Sequence, residues 1–171
     1  MSIPVHPLSP EESVALADKI VALDLQTNTV PRKALQVLAE ESGGHPLFIH
    51  ELVRHMLSSA EPEDHTTLSL DEALQQRIRS LPSLQRNIVE VASLAGLPLH
   101  MRVLTQVLEE SPGVCMRHIN QLRISTLLAA RGEPQERLIE PYHDRVREAA
   151  LQQIKPEKQK KWHRALAHTL Q

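Results

Sequence analysis

The sequence predicts a mainly α protein: a helical bundle, then a winged-helix domain with one small β-hairpin, then C-terminal helices. Three observations carry this. Aliphatic residues recur at helical spacing while aromatics make up 2% of the chain, so the core is built from Leu, Ile, Val and Ala. Two segments, Ser9-Pro10-Glu11-Glu12 and Ser69-Leu70-Asp71-Glu72, read as capping boxes that open helices. A single convincing strand pair follows a run of three helices, which is the order of a winged helix.

The first helix starts at Ser9-Pro10, with proline at the first helical position. Leu16, Ile20 and Leu23 at i, i+4 and i+7 carry its apolar face to about Asp24. Gln26 to Thr29 is polar and turn-like. Pro31 opens a second helix through Ala34, Leu35 and Leu38, and Gly43-Gly44 ends it, because a left-handed cap favours glycine. Pro46 starts a third, where Phe48, Ile49, Leu52, Val53, Met56 and Leu57 form one continuous apolar face. Ala60 to Thr67 is charged and prolyl and reads as a loop between subdomains. Ser69 then opens a short helix carrying Leu74, Ile78 and Leu81. Pro82 stops that helix and starts the next, lined by Leu84, Ile88, Val91 and Ala95 and closed by Gly96. Shorter helices are expected around Arg102 to Glu110 and from about Val114 to Arg123. The strands Leu127–Ala130 and Arg137–Glu140 flank the turn Gly132-Glu133-Pro134-Gln135. Asp144 to Ile154 and Pro156 to Leu170 close the chain as two helices, the last with Trp162, Leu166 and Leu170 on one side.

The 171 residues suffice for one ordinary domain or two small ones with a real core. A net charge of −2 supplies no global field towards nucleic acid or anionic membrane. The single cysteine, Cys115, excludes an internal disulfide framework and fits a reducing, cytoplasmic setting. No stretch approaches the roughly 20 apolar residues of a membrane span. Met1 to Pro7 lacks the basic and apolar regions of a signal peptide.

Two motifs stand at loop-to-helix boundaries. Gly44-His45-Pro46 reads as a helix-to-helix turn, glycine capping one helix and proline beginning the next. It also reads as a rigid, donor-rich wall for a nucleotide at a helix N-terminus. Tyr142-His143-Asp144 follows the second strand. There Asp144 is placed to cap the helix, and His143 either fixes the corner or donates to a diphosphate oxygen. Arg145 and Arg147 lie near enough to add charge, or are simply solvated.

Both motifs carry a family resemblance. Ser42 to Leu52 (Ser-Gly-Gly-His-Pro-Leu-Phe-Ile-His-Glu-Leu) is similar to the Gly-Asn-Pro-Leu-Phe-Leu-Glu-Glu-Leu stretch of bacterial signal-transduction ATPases with numerous domains. These are AAA-related switch proteins that often lie beside a serine/threonine kinase, a regulator domain or tetratricopeptide repeats. The same turn resembles the Gly-Leu-Pro-Leu motif of plant resistance proteins. Tyr142 to Ala149 (Tyr-His-Asp-Arg-Val-Arg-Glu-Ala) resembles that group's Met-His-Asp motif and the bacterial Phe-x-His-Asp-x-Ile-Arg-Glu-Ala. Ser69 to Leu81, Val91 to Gly96 and Pro156 to Leu170 match the bacterial pattern in order.

The resemblance implies a helical lid over 1–60, a linker over 61–68, a winged-helix domain over 69–155, and over 156–171 the first helix of a following helical region. It implies that Pro46, with Gly44 and His45, borders the adenine and that His143 reaches the β-phosphate of ADP. The cofactor is then ADP or ATP with Mg²⁺ in the whole switch, and none in this chain alone. Implied partners are an N-terminal phosphate-loop core, C-terminal helical repeats or another output domain, and further copies of the switch. The chain departs from the family in one large respect. No Gly-x-x-x-x-Gly-Lys-[Ser/Thr] is present, none of its five glycines precedes lysine, and no apolar strand ends in paired acids. Hydrolysis by this chain alone is not expected.

Other classes of function leave weaker marks. His50 and His55, and His163 and His168, are five apart and so point about 140° apart on a helix, which does not let a pair share a metal ion. Cys115 has no CxxC partner, and no nucleophile motif is present. The winged helix raises DNA binding, through Arg117, His118, Gln121 and Arg123 on the helix that would enter a groove and Arg131 near the wing. The cluster Lys155, Lys158, Lys160 and Lys161 reads as a solvated helix face.

Overall fold

Ser9 opens α1 (Pro10–Leu23) as a reciprocal capping box: Glu12 N–H donates to Ser9 Oγ at 3.2 Å, and Ser9 N–H donates to Glu12 Oε2 at 2.8 Å. Two donors that a helix start leaves open are thereby satisfied. The structure is a computed structural model that describes residues 6–23, 30–58, 69–133 and 136–170. The expected turn at Gln26–Thr29, the loop at 60–67, the linker at 61–68 and the hairpin residues Pro134-Gln135 lie outside the described residues. The chain divides into two compact units, Met1–Leu74 and Gln75–Gln171.

In the first unit, α1 packs against both α2 (Arg32–Ser42) and α3 (Pro46–Ser58), and these pack on each other. The face α1 buries is not the expected one. Ser13, Ala17 and Val21 are buried, Leu16 and Ile20 flank them half-buried, and Leu23 is 81% exposed. Small side chains at 13 and 17 let α1 approach two helices at once, which a leucine stripe does not allow. The α2 expectation holds: Ala34, Leu35 and Leu38 are buried, joined by Ala39. Phe48, Ile49, Leu52, Val53 and Met56 of α3 are buried as expected, with Leu57 half-buried. Glu51 shares this face at 3% exposure and is met by Arg54 at 3.2 Å, an acid that the apolar period did not foresee.

The second unit is organised around α5 (Ser83–Ala95), whose Ile88, Val89, Val91 and Ala92 are buried. It packs against α6 (Met101–Leu108), α7 (Pro112–Ile124), α8 (Asp144–Leu151), α9 (Pro156–Thr169) and the sheet. Burial almost all round explains why Leu84 and Ala95, expected on one core side, are only half-buried at its ends. The preceding helix, α4 (Leu70–Ser80), buries Leu74 and Ile78 and spans the division between the units. Gly96 takes φ 71° and closes α5 in the expected left-handed cap.

The hairpin forms one residue later than expected, from β2 (Leu128–Arg131) and β3 (Leu138–Pro141), pairing Leu128 with Pro141 and Arg131 with Leu138. It is not alone. A two-residue strand, β1 (Leu99–His100), joins the other edge of β3, giving antiparallel order β1-β3-β2. Two residues cannot show the alternation that reveals a strand in sequence; the partner creates it. On α9, Trp162 and Leu166 are buried, but Leu170 falls past the helix end at 65% exposure, so it is not part of the expected stripe. Among the described residues no helix is long and apolar enough to cross a membrane.

Candidate functional site

The turn at Gly44-His45-Pro46 is built mainly from backbone. Gly43 ends α2 at φ 56°, and Gly44 continues at φ 76°. The Gly44 carbonyl accepts from Leu8 N–H at 2.9 Å, and its own N–H donates to Ser42 Oγ at 3.3 Å. A Cβ at Gly44 would run into the Leu8 carbonyl and stand 3.0 Å from Pro7 Cβ. This glycine is therefore required both by its torsion angle and by the segment lying on it. Pro46 is the first residue of α3, as its fixed φ and missing N–H favour. Gly44 is buried while His45 and Pro46 are exposed, and the His45 ring leans on buried Phe48 at 5.3 Å between centroids. The turn thus offers an imidazole and a proline ring outward from a fixed backbone.

The second motif differs from expectation in its cap. Asp144 is the first residue of α8, and His143 is the N-cap. His143 Nδ1 accepts from Arg145 N–H at 3.1 Å, and its carbonyl accepts from Val146 N–H at 3.0 Å. With φ −150° the residue is still extended, continuing the strand direction before the helix begins. Asp144 does not take this role because the imidazole one residue earlier already accepts from the Arg145 amide. An Nδ1 that accepts places the hydrogen of a neutral imidazole on Nε2. Arg147 is not simply solvated: its Nε donates to the Ser93 carbonyl at 3.1 Å, near the C-terminus of α5, where a cation is favoured. Gly44, His45 and Pro46 belong to the first unit and His143 to the second.

The four expected DNA contacts are divided. At about 100° per residue, Arg117 and Arg123 project about 120° apart around α7. Arg123 and Arg131 line one open groove with Asn120, Ile124 and Tyr142, of about 880 Å³. Arg117 and Gln121 are exposed but outside it. Gln121 Oε1 accepts from the buried Gln85 at 2.7 Å, and Arg131 pairs with Glu140 at 3.2 Å, so two of the four are tied within the unit. His118 Nδ1 lies 3.4 Å from Gln85 Nε2. On the inner side of α7, Cys115, Ile119 and Leu122 are buried, and Val114 and Met116 are half-buried. Burial and the neighbouring Glu110 push the Cys115 thiol up, the opposite of nucleophile activation.

The lysine cluster on α9 is less solvated than its sequence suggests. Lys158 Nζ lies 2.6 Å from Glu90 Oε2 and donates to Asn87 Oδ1 at 2.9 Å. Lys161 stands over the Trp162 ring at 5.2 Å. Lys155 and Lys160 are exposed as expected. Sequence reasoning missed Glu90, 4% exposed, which accepts from both Lys158 and Trp162 Nε1. A glutamate inside an apolar run gives no local sign that its partner lies 72 positions away. Among the described residues no group of three His, Cys, Asp or Glu could hold a metal ion. Comparison with family models, curated proteins and solved structures gives no match.

Proposed function

We propose that this chain is the lid and winged-helix part of an AAA-related signal-transduction ATPase, acting as a regulatory and interaction module. Three helices, α5 to α7, followed by the β2–β3 hairpin support the winged-helix reading of 69–155. The observation that carries the nucleotide reading is His143: its Nδ1 accepts from Arg145 N–H, which fixes the imidazole at the head of α8, where a helix start favours a phosphate oxygen. In the whole switch, ADP bound to the phosphate-loop core is contacted by His143 and by the Gly44-His45-Pro46 turn. Exchange for ATP weakens the His143 contact and releases the winged helix for assembly. The module itself hydrolyses nothing.

The test is made in the longer protein, whose reading frame upstream of Met1 encodes Gly-x-x-x-x-Gly-Lys-[Ser/Thr] on this proposal. His143→Ala there is expected to lower retained ADP about tenfold, the worth of one charge-assisted hydrogen bond. Unchanged retention sinks the role of His143.

The second reading is a stand-alone winged-helix protein that binds DNA or acts as an adaptor. The exposed α7 face, with Arg117 and the 86% exposed Ile124, favours it. Duplex affinity that falls steeply with added salt would support the DNA form of this reading, and no affinity at low salt ends it.

A further inference from the structure

Stretches far apart in the sequence bring positive charge to one groove in the second unit. Its volume is about 410 Å³, and its lining includes Arg79 of α4, Arg86 and Glu90 of α5, Gln153 after α8, and Lys155 and Lys158 where α9 begins. Four cations therefore face one carboxylate. That carboxylate is already committed, since Glu90 accepts from Trp162 Nε1 at 3.2 Å and holds Lys158 at 2.6 Å. Arg79, Arg86 and Lys155 keep their charge with no acid among the lining residues left to offset it.

The hydrogen bonds these groups make are to neutral acceptors. Arg79 donates to Gln153 Oε1 at 3.1 Å and to Gln75 Oε1 at 3.0 Å. Arg86 donates to the Arg79 and Leu81 carbonyls, and its buried Nε has no hydrogen-bond partner among the described residues. Lys155 is the N-cap of α9, and no side chain caps the helix there. The positive end of a 14-residue helix thus begins at the groove and adds to the same field. Glu157, the acid in the first turn of α9, does not line the groove. Like charges gathered in so small a space repel until an anion joins them, and paired guanidinium groups suit the oxygens of a phosphate.

We propose that this groove binds a small ligand through a phosphate group, with Arg79, Arg86 and Lys155 as its contacts. The site is separate from His143 and the Gly44 turn, and it stands whether or not those meet a nucleotide. Its size favours a compact phosphorylated ligand over a nucleic acid backbone, and the chain's net charge of −2 provides no extended field for a duplex.

Titration calorimetry of the full chain with inorganic pyrophosphate at low ionic strength tests this. The expected result is saturable binding that is weakened about a hundredfold by the double variant Arg79→Gln, Lys155→Gln, from two charge-assisted contacts of about tenfold each. Lys160→Gln, on the same helix but outside the groove, leaves binding unchanged. Should the double variant fold poorly by circular dichroism, Lys155→Gln alone is expected to weaken binding about tenfold. No binding by the unaltered chain overturns the proposal, as does an equal loss in Lys160→Gln. A DNA duplex that displaces pyrophosphate at lower concentration, and depends on Arg79 and Lys155, also overturns it in favour of nucleic acid.

Discussion

The two units hold their candidate residues in place by different means. In the first, the Gly44-His45-Pro46 turn is set by neighbours in sequence and by backbone: two left-handed glycines, a proline start and one hydrogen bond to Leu8. In the second, side chains tie together residues many positions apart. Glu90 meets Lys158 and Trp162, Gln85 meets Gln121, and Arg147 meets the Ser93 carbonyl. The difference predicts where each unit is fragile. The first should suffer most from changes in backbone freedom, and the second from removal of a single buried polar or aromatic group.

The largest effect is expected from Trp162→Ala. It removes a 5% exposed indole and leaves Glu90 with one partner fewer, at a cost of about 3–5 kcal/mol in urea unfolding followed at 222 nm. A cost under about 1 kcal/mol would mean that the α9 anchor is ornamental and the contrast between the units false. Gly44→Ala comes next. The strained torsion and the collision with Leu8 together are expected to cost about 2 kcal/mol or more by the same measurement. Gly43→Ala, with open space where its Cβ would stand, meets the torsion alone and should cost about 1 kcal/mol. Equal costs would break the claim that Leu8 closes over the turn.

How far the sequence was legible follows the same line. Capping boxes, glycine stops and proline starts are written within four residues of where they act, so Ser9, Gly43, Gly96 and Pro46 were readable at sight. The face of α1 was not, because Leu16 and Ser13 compete for the interior and the outcome depends on how closely α2 and α3 approach. The strand β1 was invisible for a related reason: Leu99-His100 becomes a strand only against Leu138-Ile139, some 39 positions later. At His143 the motif was found but its cap was assigned one residue late, since Asp is the commoner N-cap and imidazole a rarer one. The cationic groove left no local trace, because Arg79 and Lys155 come together only in the folded chain.

The smallest effect sharpens the local side of the comparison. The backbone hydrogen bond at the start of α1, and then Ser9 Oγ, hold the Glu11 carboxyl below the usual glutamate range. A depressed carboxyl stabilises the fold above its unfolded pKa, and that contribution is lost as pH falls through its lower folded value. Ser9→Ala should therefore raise the Glu11 pKa in an NMR titration. Separately, by removing the hydroxyl that accepts from Glu12 N–H, it should cost about 0.5–1 kcal/mol in urea unfolding. A Glu11 titration unmoved by Ser9→Ala would assign its depression to the backbone alone.

The bond between Leu8 and Gly44 also has a practical use. It pins the segment ahead of α1 to the turn whose role is in question, and His6, two residues earlier, is exposed. A fluorophore or spin label placed at His6 becomes a reporter beside that turn, one that leaves Gly44, His45 and Pro46 untouched. It would register whatever arrives there, whether a ligand, a partner or a neighbouring domain.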